Sequence, residues 1–287
     1  MSPNTKGKAM QGITTTDYRH LVYEVDSEHV CWLTLNRPEK LNAMNLRLIA
    51  ELQAGLLRAD RDDNVNVIVI RGNGRGFCAG HDLDEDASED RTSIYEYRAH
   101  YIHQFEEFTT PWTVTKPVIA SVHKYAIGKG FELSLFCDVS IVTSDTRMGY
   151  NEVRYGVSGH CMFLPWVVNM KTAKDLLLTG RELTAAQAKE MGLVTDVVEP
   201  DQLAEATWRK ATLMARMPRE MQRMHKMYLN RVYEMQGLRT ATDYYLEQVA
   251  IMGAQPVPEY AEFSRMTAEK GLRAALDHAN ARYEGLD

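Results

Sequence analysis

The chain has 287 residues, 45% of them hydrophobic and 25% charged, with a formal net charge of −6. That suffices for one large domain, or a domain with a smaller helical appendage, around a packed core. The acidic balance argues against a nucleic-acid partner, and no run approaches the roughly 20 apolar residues needed to cross a bilayer.

Four cysteines, Cys31, Cys78, Cys137 and Cys161, stand far apart with no paired spacing; three lie in apolar runs and read as buried free thiols, which suits a reduced, cytoplasmic protein. Residues 1–16 are polar without an apolar signal core and read as a disordered extension. Leu21 to Val25 and Val30 to Leu35 read as a β-hairpin. Met44 to Ala59 carries Leu48, Ile49, Leu52 and Leu56 at helical spacing, one buried stripe. Val65 to Ile70 is a β-branched run suited to a strand covered on both faces. Gly72, Gly74, Gly76 and Gly80 then punctuate a loop-rich crossing.

Ser93 to Phe108 reads as helix, Pro117 to Val122 and Val139 to Val142 as short buried strands, with about two helical turns between them over Phe131 to Cys137. Strands alternating with helices imply parallel βαβ layering. Thr184 to Met191 reads as a helix capped by Thr184 and closed by Gly192. Past about residue 200 the pattern is wholly helical. There Met217, Met221, Met224 and Tyr228, spaced four, three and four, form a stripe suited to core or to a subunit contact. The expected plan is an α/β core over 17–200 and a helical oligomerisation region over 201–287.

Two glycine-bearing turns stand out: FCAGHDL (Phe77 to Leu83) and YAIGKGFELSLFCD (Tyr125 to Asp138). Backbone N–H groups at such turns, and at a helix start, can receive a developing negative charge. Two from separate segments would make an oxyanion hole, each donor worth roughly 3–4 kcal/mol in the transition state. Taken singly, each is also an ordinary turn. Glu132, near the start of the second turn's helix, could simply complement the helix dipole. Glu152 could be an ordinary surface acid, and His100 and His103 share a helical face with no third metal ligand.

The strings NRPEKLNAMN (Asn36 to Asn45), FCAGHDL, KPVIASVHKYAIGKGFELSLFCD (Lys116 to Asp138) and LTGRELTAAQAKEMGLVTDVV (Leu178 to Val198) change the weighing. In order and spacing they resemble the enoyl-CoA hydratase/isomerase family, the crotonases. The resemblance is strong over residues 17 to 200 and looser to Tyr283. It implies a crotonase-like spiral of ββα units with a helical C-terminal region, assembled as a homotrimer or homohexamer. It implies an acyl-CoA substrate, no metal, and no cofactor beyond the coenzyme A of the substrate itself.

Residue by residue, the resemblance places the oxyanion-hole N–H groups at His81 and Lys129, and the two glutamates of the hydratase subgroup at Glu132 and Glu152. It places coenzyme contacts at the carbonyls of Ala79 and Leu83, with Arg75, Arg37 and Lys40 near the phosphates and Arg282 reaching a neighbouring subunit. The acyl pocket falls at His160, Met162 and Phe163. Paired carboxylates around one water suit addition across a conjugated double bond. Several positions depart from the family pattern. A usual GGG reads Gly128-Lys129-Gly130, His123-Lys124 stands where Asn-Gly is common, and a GGTQRL-like segment reads His160 to Pro165. Six acids (Asp82, Asp84, Glu85, Asp86, Glu89 and Asp90) follow the first turn and read as a solvated loop. Alternatives are an isomerase, decarboxylase or hydrolase on the same enolate, or a non-catalytic binding protein of the same fold.

Overall fold

The computed structural model describes residues 18–83, 91, 93–157, 163–255 and 257–286. The expected extension over 1–16, most of the acidic loop, Cys161, and the acyl-pocket positions His160 and Met162 lie outside the described residues.

The chain opens with an antiparallel hairpin of β1 (Leu21–Val25) and β2 (Val30–Leu35). The Asp26 carboxylate closes its turn, accepting from the Glu28 and Val30 amides and from the Trp32 indole at 2.8–3.1 Å. Helix α1 (Leu46–Arg61) starts two residues later than its apolar stripe suggests, because Asn45 takes the cap and accepts from the Leu48 N–H. Its buried Glu51 accepts the Arg19 and His20 amides and the Arg47 guanidinium, tying the chain's entry to the helix.

Strand β3 (Val67–Gly72) pairs in parallel with β2, and β4 (Val118–Val122), β6 (Val139–Thr143) and β9 (Asp196–Val198) extend the parallel run. Among the described residues these make one six-stranded sheet, order β1-β2-β3-β4-β6-β9. Both faces of β3 are covered, as its β-branched run predicts. Ile68 and Ile70 join the main core beneath α1, whereas Val67 and Val69 pack on Ala211 and Ala215 of α8 (Leu203–Ala215). A second sheet of three short strands, β5 (Tyr125–Ile127), β7 (Arg147–Gly149) and β8 (Glu182–Thr184), stands apart and has no apolar run to announce it.

Helix α2 (Ile94–Phe108) begins with a capping box between Ser93 and Glu96, and α3 (Thr110–Thr113) follows it. Helix α4 (Lys129–Phe136) lies between β5 and β6. The short α5 (Leu164–Val167) and α6 (Met170–Thr179) lead to α7 (Ala185–Glu190), which Thr184 caps in a box with Gln187 before Gly192 turns the chain at φ 79°. The remaining helices are α9 (Arg219–Met235), α10 (Leu238–Gly253), α11 (Pro258–Lys270) and α12 (Leu272–Ala281). Helix α10 packs on α2 with an Arg98–Glu247 ion pair at 2.6 Å, while α11 and α12 pack on the 3₁₀ turn Glu152–Tyr155, where Phe263 stacks on Tyr155.

The methionine stripe on and just before α9 is not core in this chain: Met217, Met221, Met224 and Tyr228 are 45–65% exposed. The face that α9 turns inward is marked instead by a buried cation. Lys226 donates to the Pro111 and Lys116 carbonyls and to Asp138 at 2.7–3.0 Å, and Asp138 also accepts from the Val118 amide. Removing the ammonium strips the Pro111 and Lys116 carbonyls and the partly exposed Asp138 carboxylate of their shared donor. Lys226→Met is therefore expected to lower unfolding stability by about 2 kcal/mol, read as a drop in urea midpoint at fixed protein concentration; an unchanged midpoint would show that the pin is dispensable.

Candidate active site

The two glycine turns meet side by side. Cys78 and Ala126 form an isolated parallel bridge, with Cys78 N–H donating to Tyr125 O (3.0 Å) and Ile127 N–H to Cys78 O (3.1 Å). A Cβ at Gly130 would collide with the Cys78 carbonyl, so the approach requires glycine there. The first turn is held from below by the NRPEKLNAMN segment. Met44 N–H donates to Gly80 O and Asp82 N–H to Met44 O, while the Asn42 amide donates to Asn73 O and Gly76 O. Arg37 is buried in that scaffold, donating to Ala43 O and to Asp82 at 2.7 Å. Its guanidinium thus braces the turn rather than reaching out toward a coenzyme phosphate. Asp82, counted in sequence with the solvated acids, is buried as Arg37's partner.

Lys40 and Arg75 are exposed, on loops brought together where Gly74 lies against Pro38. Ala79 is half-buried in the first turn. Leu83 packs against the Tyr155 cluster, and Arg282 pairs with Glu262 at 2.7 Å just past α12.

Gly128 caps α4 at φ 52°, ψ −119°, a conformation that favours glycine, and its N–H donates to Gly149 O. Lys129 is the first residue of α4, so its N–H lies at the positive end of the helix dipole. His81 sits in the first turn, bridged to Met44. The 3₁₀ turn Glu152–Tyr155 carries the Glu152 carboxylate directly over Gly128, where any Cβ would overlap its Oε1; the same oxygen lies near Gly80. Glu132, one turn into α4, is buried.

Neither Glu132 oxygen, nor Oε2 of Glu152, has a hydrogen-bonding partner among the described residues. Buried polar atoms are nearly always partnered in folded proteins, so three orphaned carboxylate oxygens mark a place that meets polar atoms from outside the chain. Burial pushes the Glu132 carboxyl well above the usual carboxylate range; Glu152 adds to that push and the Lys129 cation opposes it. Burial lifts Glu152 to about 7, opposed by Lys129 and by its own backbone amide. Two such interacting acids titrate as a unit, and near neutral pH the arrangement favours one proton and one charge on the pair.

Beyond α4's first turns lies a cavity of about 580 Å³ between α2, α3 and α10. Phe136, one turn past Glu132, lines it with Phe105, Trp112 and Phe163, and Phe163 contacts the Trp112 and Phe136 rings at 4.8 and 5.2 Å between centroids. Phe163 is thus buried in an aromatic wall, although no periodicity in the sequence joins it to residues 105, 112 and 136. The sequence reading also passed over Gln104, whose amide oxygen accepts from the Lys129 ammonium at 2.6 Å. Lys129 was conspicuous in its glycine turn, but a partner 25 residues away on another helix leaves no local signature. Among the described residues no group of three or more His, Cys, Asp or Glu is disposed to hold a metal ion.

Comparison with known proteins gives the same frame. The enoyl-CoA hydratase/isomerase family model matches residues 26–250. A probable enoyl-CoA hydratase of Mycobacterium bovis is 34% identical over 76% of this chain and 83% of its own length. The 2,3-dehydroadipyl-CoA hydratase of Escherichia coli is 37% identical over 66% of this chain and 73% of its own. The crystal structure of an enoyl-CoA hydratase/isomerase from Xanthobacter autotrophicus superposes with a TM-score of 0.90 at 31% identity, covering 94% of this chain and 100% of that one. Matched in sequence over most of its length and in structure over nearly all of it, the chain belongs to the enoyl-CoA hydratase/isomerase family and has its crotonase fold.

Proposed function

We propose that this protein is an enoyl-CoA hydratase, adding water reversibly across the double bond of a 2-enoyl-CoA thioester. The observation that carries the reading is the pair of buried carboxylates, Glu132 and Glu152, set beside the two glycine turns, three of their four oxygens unpartnered among the described residues. The ionised member takes a proton from water as its oxygen bonds to C3. The protonated member delivers its proton to C2, and the main-chain N–H groups of His81 and Lys129 receive the charge that builds on the thioester oxygen. One proton enters the pair and one leaves it, so its net charge is unchanged; the proton now sits on the other carboxylate and passes back, directly or through solvent, before the next turnover. The acyl chain would run along α4 toward the aromatic cavity, with Phe163 in its wall. Coenzyme contacts fall to Lys40, Arg75 and the Ala79 and Leu83 carbonyls, with Arg282 serving a neighbouring subunit. Nothing in this scheme needs a metal or redox cofactor.

Two further properties belong to the same reading. The exposed Met217, Met221, Met224 and Tyr228 form an apolar stripe of the kind that marks an interface, and we assign it to a homotrimer or homohexamer. Cys31, Cys78 and Cys137 are buried free thiols and no helix among the described residues is long and apolar enough to cross a membrane, which supports a cytoplasmic setting.

Glu132→Gln and Glu152→Gln are each expected to keep acyl-CoA binding and to lose about 10²-fold or more in hydration rate. The double variant should lose much less than the product of the two. Near wild-type hydration by Glu152→Gln would overturn the two-carboxylate mechanism; turnover lost with one variant only would point to an isomerase. The same variants carry a pH signature. A folded pKa raised to about 7 from an ordinary 4.5 gives stability that is present below the unfolded pKa and lost as pH rises through the folded one. Glu152→Gln should therefore melt above the wild type at pH 8, and the difference should vanish toward pH 4; parallel melting curves at all pH would show that Glu152 is not held protonated. Light scattering should give a mass three or six times the 32.7 kDa chain, and a stable monomer at micromolar concentration would refute the assembly.

A further inference from the structure

Lysine at position 129 stands where the resemblance leads one to expect glycine, and its main-chain role needs no side chain at all. Yet the side chain is built in. Lys129 is buried, its ammonium donates to Gln104 Oε1 at 2.6 Å, and the equally buried Gln104 is in turn held by the His100 ring at 2.8 Å. Phe105 and Phe108 of α2 wall in the same contact. On α4, Lys129 and Glu132 are three residues apart and share a face. Burying a lysine without need is costly. We propose that the Lys129 side chain, fixed by Gln104, is a positioning residue that sets the pH range in which the Glu132–Glu152 pair works.

The inference rests on the hydratase reading of that pair. The Lys129 charge acts on Glu132 of its own helix, Glu152 of the 3₁₀ turn, Glu107 of α2 and the Cys78 thiol of the first glycine turn, favouring the ionised form of each. His103 assists at Glu107. With burial driving both glutamates toward the protonated form, a nearby cation opposes the drift and keeps one charge on the pair near neutral pH. An opposite charge shifts both titrations of a coupled pair the same way, so both limbs of the rate profile depend on it.

Three variants read this out. Lys129→Met keeps the main-chain N–H and removes the cation. Gln104→Glu keeps the lysine and sets a carboxylate against it, so it serves even if Lys129→Met folds poorly. Lys129→Arg keeps the charge. Both limbs of the pH–rate profile for crotonyl-CoA hydration are expected to move to higher pH in Lys129→Met and Gln104→Glu. Turnover at the acid end should fall about tenfold further than at the optimum. In Lys129→Arg the limbs should stay in place. A loss equal at every pH, with unmoved limbs, would show a merely structural lysine and overturn the proposal. Infrared titration of the protonated-carboxyl band, assigned with Glu132→Gln and Glu152→Gln, needs no turnover. A band that shifts with the two charge variants supports the lysine's role even if no enoyl-CoA is hydrated, in which case the reaction assignment fails alone. A band and profile that both stay put sink the lysine's role and leave the hydratase reading standing.

Discussion

The structure turns on one close approach: a carboxylate laid against the backbone at the N-terminus of α4. Glu152 occupies the space that any side chain at Gly128 would need, and Gly130 lets the Cys78 carbonyl come down on the other side. Removing a carboxylate from water is expensive unless something answers its charge. Moving Glu152 from 4.5 to about 7 corresponds to roughly 3 kcal/mol against its ionised form, and Glu132 is pushed the same way. What answers the charge here is the dipole end of α4 and the Lys129 ammonium, itself anchored on Gln104. Three of the two glutamates' four carboxylate oxygens still lack a hydrogen-bonding partner among the described residues and are placed to meet polar atoms from outside the chain.

Much of the surrounding architecture serves to hold that approach rigid. The parallel sheet delivers β3 and β4 to the same end, from which the two glycine turns leave. Arg37 holds the first turn from beneath through Asp82 and is itself fixed on the Ala43 carbonyl, while Asn42 ties the approach to that turn at the Asn73 and Gly76 carbonyls. The short β5 and β7 fix the second turn, since Gly128 donates to Gly149 across that pairing. Helices α11 and α12 back the 3₁₀ turn through Tyr155 and Phe263, so the C-terminal segment takes part in placing Glu152 as well as offering surface. A constellation positioned from rigid elements keeps its geometry without reorganising during reaction.

The larger elements were legible in the chain because their signals are local. The hairpin, the β-branched strand, the α1 stripe and the Thr184 cap each follow from period and end chemistry within a few residues. The glycine turns and both glutamates were visible as residue types, and their ordered spacing along the family's motifs tied them together. The sheet of β5, β7 and β8 was not legible, since strands of three residues carry too little alternation to be distinguished from loop. Arg37 and Asp82 illustrate the opposite failure. Both look like surface charges in sequence, yet each is buried because the other neutralises it across 45 residues.

By itself, then, the sequence determined the order of layers, the location of the two turns and the identity of the acids, because hydrophobic period, glycine placement and motif spacing are written along the chain. Only the tertiary structure decided that Glu152 lies over Gly128, that Lys129 points to Gln104, and that Phe105, Trp112, Phe136 and Phe163 share one cavity wall. Apart from Phe105 and Trp112, which are near neighbours in the chain, those are encounters between segments about 20 to 60 residues apart. Charge and burial act through space, and a carboxylate's chemistry is set by neighbours that no local pattern reveals.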